Sequence, residues 1–268
     1  MNKKDYLKSI FHFSLFFAKR DIKTRFAGSV LGVIWLIIQP VCLILIYFFV
    51  FSSVLKIKLS PEAGTGSFLV FLLIGLFPWL AFQEGCIRAA TSIIDNAETV
   101  KKIPFPLESL PIGVIISSGC IHLCAFFIFL AGYIIYAIAI KHMFIPITIS
   151  LLPIYILLQL IMTTGIGFFF ASICTYLRDL VQVFNLAFQV WFYATPIVYP
   201  ISMVPDKLKP IISINPLTGL IETYRTLILT GNIPIKPFQL MAVVFSFICF
   251  IIGLFVFSKL KQGFSDVL

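Results

Sequence analysis

Six stretches of this chain, approximately 28–55, 67–83, 112–140, 145–173, 180–199 and 238–258, contain no Asp, Glu, Lys or Arg. Each is judged against the roughly 20 residues that a helix needs to cross about 30 Å of hydrocarbon. The second is short and extends through Gln83–Ala90 to give a span of 67–90. Pro40 and Pro78 interrupt their runs, which a helix bundle tolerates because neighbouring helices or side chains satisfy the freed carbonyls. Only 12% of the 268 residues are charged and 60% are hydrophobic, whereas a soluble domain averages about 25% charged residues. A surface so apolar excludes a water-soluble globule. The reading is an all-α polytopic membrane protein, a single domain over 1–268 with six transmembrane helices.

The stretch Arg20–Pro40, RDIKTRFAGSVLGVIWLIIQP, fixes the orientation. Four of its first six residues are charged, three of them positively, and nothing after Arg25 is. That step marks a bilayer surface with the basic side in the cytoplasm. With both termini inside, the inner segments hold 13 of the 20 Lys and Arg residues and the outer segments seven. The bias supports an N-in, C-in arrangement. The net charge of +9 lies beside the spans, so anionic membrane lipids rather than nucleic acid are the expected counter-charge.

Outside the spans, three segments are not simple loops. Residues 4–26 read as an amphipathic interface helix, with Lys4, Lys8, His12, Lys19 and Lys23 on one face and Leu7, Ile10, Phe13 and Phe17 opposite. The connection 84–111 is apolar for a linker, and a short helix over Thr91–Lys102 before Pro104 could meet a soluble partner; an ordinary capped loop is the alternative. The outer connection 200–237 holds two short apolar pieces, broken at Pro210, Asn215-Pro216 and Gly231-Asn232. Neither spans, and a pair of re-entrant or interfacial helices between spans five and six fits. Glu222 and Arg225 are spaced to pair on one helical face.

The chemistry the chain lacks narrows its function. It has no GxxxxGK[ST] phosphate loop, so any ATP must be bound by another subunit. The absence of charges in the core runs argues against an ion-coupled transporter. His12, His122 and His142 are scattered, with His122 read as a core histidine bonded to a neighbouring helix. The six cysteines lack metal or redox spacing, and no catalytic residue or metal site can be assembled. Aromatic rings are plentiful instead: 30 Phe, 9 Tyr and 3 Trp. Phe184, Phe188 and Trp191 recur at helical spacing in the fifth run, followed by Tyr193 and Tyr199, while Tyr47 and Phe51 crowd the outer end of the first. Such rings could form a wall along which sugars slide, or simply face lipid and the membrane interface.

Four motifs, RDIKTRFAGSVLGVIWLIIQP at 20–40, YLRDL at 176–180, INPLTGLIETYR at 214–225 and GFSDVL at 263–268, extend along nearly the whole chain. In order and spacing they resemble the permease subunit of ABC-2 type polysaccharide exporters, which move lipid-linked O-antigen, capsule or teichoic acid; GFSDVL most resembles the O-antigen branch. The resemblance implies a homodimer with two copies of an ATP-binding subunit, which would hold ATP and Mg, and an undecaprenyl-type lipid-linked glycan as substrate. No cofactor is expected on this chain. The first and fifth spans would line the channel through Tyr47, Phe51, Phe184, Phe188, Trp191, Tyr193 and Tyr199. A coupling helix at 91–102 would dock the ATPase through Thr91, Ile94, Asp95, Asn96, Glu98, Lys101 and Lys102. The segment 201–232, with Asn215, Pro216, Glu222 and Arg225, would gate the exit. Arg20, Lys23 and Arg25 either steer the lipid's pyrophosphate to the entrance or only fix topology. An ABC-2 permease exporting a small molecule or drug is the alternative.

Overall fold

The computed structural model describes residues 3–54, 67–139 and 146–268. The predicted span ends at 55, 140 and 145, and the connections 56–66 and 141–144 between them, lie outside the described residues. Among the described residues every regular element is helical. Four helical stretches, Phe68–Thr91, Ser109–Ala139, Ile147–Tyr176 and Pro237–Val267, are long and apolar enough to cross a membrane; Trp35–Phe51 and Leu180–Ala194 are apolar but shorter.

The bundle is organised around α3 (Phe68–Thr91), which packs against α5 (Ser109–Ala139) and α6 (Leu152–Tyr176). It is apolar on nearly every side, and Leu73, Phe77, Trp79 and Phe82 are fully enclosed. A helix hydrophobic all round belongs at the centre. By contrast α10 (Pro237–Leu260) exposes Leu240, Val244, Phe247, Ile251 and Phe255 along one helical stripe. Its other side lies on α6 through Gly165 and Gly253, where a Cβ on either residue would run into the backbone of the other helix. Small residues let membrane helices approach to backbone contact.

Several boundaries differ from the sequence expectation, each for a local reason. The first apolar run is not helical from residue 28. The Gly32 N–H donates to Ser29 Oγ (2.9 Å), holding a turn, and α2 begins only at Trp35. α2 (Trp35–Tyr47) then continues as a wider π-type helix over Phe48–Val54. The expected helix over Thr91–Lys102 is split. Thr91 ends α3, Ile94–Asn96 form a 3-10 turn, and α4 covers only Ala97–Lys102. Here Ser92 Oγ donates to Ala89 O (2.7 Å) and Asn96 Nδ2 to Ser92 O (2.8 Å), side-chain bonds that compete with helix continuation. The fifth run extends to Tyr199, yet α7 (Leu180–Ala194) stops five residues earlier. Thr195 precedes Pro196, which disfavours helical backbone at Thr195; Thr195 Oγ1 turns back to Trp191 O (2.8 Å). At 1.5 Å per residue α7 is about 22 Å long, short of the hydrocarbon thickness.

α1 (Lys3–Arg25) lies along the start of α5. Its buried stripe runs through Ser14, Phe17 and Ala18, and Lys4, Lys8 and Lys19 point away. Leu7, grouped by the sequence with the apolar face, is exposed together with Phe11 and Phe16. Between α7 and α10 the chain forms α8 (Lys209–Ile214), α9 (Pro216–Arg225) and a π-type turn over Thr226–Thr230. α9 packs on α10, α3 and α6, with Leu217, Leu220, Ile221 and Tyr224 buried. After α10 the chain closes with α11 (Phe264–Val267), whose Phe264 packs on Phe257.

Candidate functional site

The aromatic positions of α7 divide into two sets. Phe188 is enclosed, meeting Trp79 and Phe82 edge-on at 6.2 and 5.7 Å and stacking with Trp191 at 5.7 Å. Phe184 stacks on Phe170 of α6 at 3.9 Å. These rings bind α7 to its own bundle. The opposite face is open, with Val183, Leu186, Val190 and Tyr193 exposed at helical spacing. Gln182 and Gln189 are exposed on it too. The rings dominate this run in the sequence, but these two glutamines are uncharged hydrogen-bonding groups within it, seven residues apart. Tyr47 and Phe51 stack at 5.8 Å, and Phe51 reaches Phe68 at 4.8 Å. The Tyr199 hydroxyl donates to Tyr193 O (2.8 Å), closing the irregular turn beyond α7.

α9 is tied to that turn at both of its ends. Asn215 Oδ1 accepts the Leu217 N–H (3.1 Å) and caps the helix, with Pro216 in the first turn. Asparagine caps and proline at the first helical position are the preferred pairing. The same oxygen accepts the Trp191 indole N–H (3.0 Å), and Asn215 Nδ2 donates to Thr195 Oγ1 (2.8 Å). At the far end Arg225 pairs with Glu222 (2.6 Å), as the spacing suggested. Arg225, one of the seven outer-segment Lys and Arg residues by sequence, lies inside the protein at 3% exposure. Beneath α9, Tyr224 donates to Gln159 Oε1 (2.9 Å), and Gln159 Nε2 to Pro78 O (2.8 Å).

At the other end of the bundle an ion network joins three helices. Asp21 of α1 takes two bonds from Arg88 of α3, at 2.8 and 2.5 Å, and one from Ser117 of α5. Arg25 contacts Asp21 (3.3 Å), Glu84 and Ser118 (2.9 Å). His122 meets Glu84 at 2.6 Å, so it does bond to a neighbouring helix. Two carboxylates thus face two guanidinium groups and an imidazole. Arg20 lies outside this network, bonded to Asn96 of the 3-10 turn and 4.9 Å from the Phe17 ring centroid. Lys23 is exposed. The structure therefore separates the three entrance candidates: Arg25 is internally neutralised, Arg20 is bonded to the 3-10 turn Ile94–Asn96, and Lys23 faces outward.

The segment Thr91–Lys102, expected to couple to the ATPase, presents Asp95, Glu98, Lys101 and Lys102, with Glu98 and Lys102 paired at 3.1 Å. Thr91, Ile94 and Asn96 are half-buried against the bundle. Beside it, the buried Glu108 accepts from Lys261 Nζ (2.6 Å) and from the Tyr6 hydroxyl (3.0 Å). Burial, then the charge of Glu108, raises the Tyr6 pKa above the ordinary phenol value, keeping it a neutral donor. This clasp borders a cleft of about 460 Å³ floored by Phe13, Phe105 and Pro106. Sequence spacing gave no hint of it, since its members come from three distant segments.

A bundle that is all-helical among its described residues, with four helical stretches long and apolar enough to cross a bilayer, describes an integral membrane protein. Residues 15–229 match the ABC-2 type transporter family, and the chain belongs to that family, whose members are integral membrane subunits without an ATP site of their own. It is 31% identical to an O-antigen export system permease protein RfbA of Klebsiella pneumoniae, over 100% of this chain and 99% of that one. An RfbA of Myxococcus xanthus is 27% identical over 84% of each chain. A polysialic acid transport protein KpsM of Escherichia coli is 25% identical over 91% and 92%.

Proposed function

We propose that this chain is the membrane subunit of an ATP-driven exporter that moves a lipid-linked polysaccharide of the O-antigen type out of the cytoplasm, across the bacterial inner membrane. The observation that carries the reading is the full-length likeness to permeases named for O-antigen and polysialic acid export. The open face of α7 supports it: an aliphatic surface with Gln182, Gln189 and Tyr193 offers sugars contact without a tight site. Two copies form the channel between their α2 and α7 helices, because one bundle encloses no polymer-wide path among its described residues. Two ATP-binding subunits, which hold ATP and Mg, dock on the end carrying α1, the coupling segment and Lys261. ATP binding moves α4 and, through Arg20–Asn96 and Asp21–Arg88, moves α1 with it. Residues 201–232 form the exit gate on the opposite side.

Depleting the protein in its native host and fractionating lipid-linked glycans tests this reading. Polymer is expected to accumulate on the cytoplasmic side. An unchanged glycan distribution, with depletion verified and no second exporter present, would overturn polysaccharide export and point to a small-molecule substrate.

A further inference from the structure

Arg225 ends α9 at 3% exposure, and most of its hydrogen bonds go to main-chain oxygens rather than to its ion partner. Nη1 donates to Pro196 O (2.6 Å), Nη2 to Ile197 O (2.8 Å) and Nε to Phe71 O (3.3 Å). Glu222 takes one further bond from Nη1, and the guanidinium carbon stands 3.5 Å from the Phe71 ring centroid. Gly75 of α3 makes the room, since a Cβ there would stand 2.8 Å from Nη2.

The acceptors explain why an arginine sits there. α7 stops at Ala194, and the irregular backbone that follows is buried at Pro196 and Ile197. Their carbonyls have left the helix, and carbonyls inside a membrane protein must find protein donors. A guanidinium offers five donors in a fixed planar fork and can hold several fixed acceptors together, which an ammonium cannot do with comparable geometry.

We infer that Arg225 is a positioning residue that clamps the broken end of α7 to α9 and α3, so that channel wall and gate segment move as one body within each copy. Asn215 supplies the second tie, to Trp191 and Thr195, at the other end of α9. Two ties at opposite ends of a ten-residue helix fix its direction as well as its place. Opening then occurs between copies, not between α7 and α9 of one copy. The consequence for transport rests on the export reading above; the clamp itself does not.

The test replaces the six native cysteines with alanine and adds Ile197→Cys, at a position with 0% exposure. Labelling by a water-soluble maleimide is followed in native membranes, with export and ATP hydrolysis measured in parallel. In Arg225→Met, labelling is expected to speed up about fivefold or more, the change that loss of some 1 kcal/mol of local stability gives. Glycan exported per ATP hydrolysed is expected to fall, while chain abundance and partner binding are kept. Arg225→Lys is expected to be intermediate. Glu222→Gln leaves the carbonyl bonds in place and is expected to leave labelling as in the parent. Continued protection of Ile197→Cys in Arg225→Met overturns the clamp, as does equal exposure in Glu222→Gln. If Arg225→Met does not accumulate, Arg225→Lys decides, and labelling no faster than the parent overturns the clamp. Failure of the export reading looks different: the parent chain exports no glycan, while labelling still reports on the clamp.

Discussion

Asp21 holds three partners, Arg88 and Ser117 on two other helices and Arg25 on its own. Asp21→Asn keeps the shape but removes the charge that balances two guanidinium groups. Asp21 and Arg88 are 15% and 30% exposed in their side chains, so solvent softens the loss. A cost of about 1–2 kcal/mol is expected, between the values for surface and buried pairs. Thermal unfolding of the purified protein would measure it, and the swapped pair Asp21→Arg with Arg88→Asp should recover part. No decrease in Tm for Asp21→Asn would show the network to be dispensable. The charges were visible in the sequence, but their meeting was not. Asp21 and Arg88 lie 67 residues apart, and Glu84, inside the extended span 67–90, lies in the last turns of α3. Periodicity reports which side of a helix is apolar; it does not report which distant helix supplies a counter-charge.

α9 shows what local chemistry can specify. The string INP was legible as a break, and cap preference with proline geometry makes it a helix start. Asn215→Ala removes the cap, worth about 1 kcal/mol, and leaves the Trp191 indole without its acceptor, adding about 1–3 kcal/mol where the group is buried. Asn215→Asp keeps the acceptor for Leu217 and Trp191 but cannot donate to Thr195, so it should be clearly milder. Tryptophan fluorescence and thermal unfolding of both variants check this; equal losses would rule out the acceptor as the important half of the side chain. The end of α7 was less legible. Residues 195–199 remain apolar, so hydropathy carries the run past the point where Thr195 and Pro196 stop the helix. The rings of Phe184 and Phe188 were identified by spacing, but spacing could not tell a face turned inward to α3 and α6 from one turned outward.

Considered whole, the molecule has a dense centre at α3 and open apolar surfaces on α2, α7 and α10. On α7 the open surface carries Gln182 and Gln189. If sugars pass along it, Gln182→Leu with Gln189→Leu should leave abundance and assembly unchanged and lower export about tenfold, the effect of losing two hydrogen bonds of modest strength. Pulse-labelled surface glycan in a host carrying only the variant would measure this. Unchanged export would remove these side chains from the path. The clasp of Tyr6, Glu108 and Lys261 likewise brings α1, the start of α5 and the end of α10 to one end of the bundle. Tyr6 and Lys261 are separated by 255 positions, so the ribosome makes one long before the other. Until α10 has been synthesised and inserted, Glu108 has no lysine to meet, and α1 lacks its tie to the end of α10. Closure of the clasp therefore waits on α10, and a nascent chain halted before α10 would keep that corner loose and open to quality-control proteases.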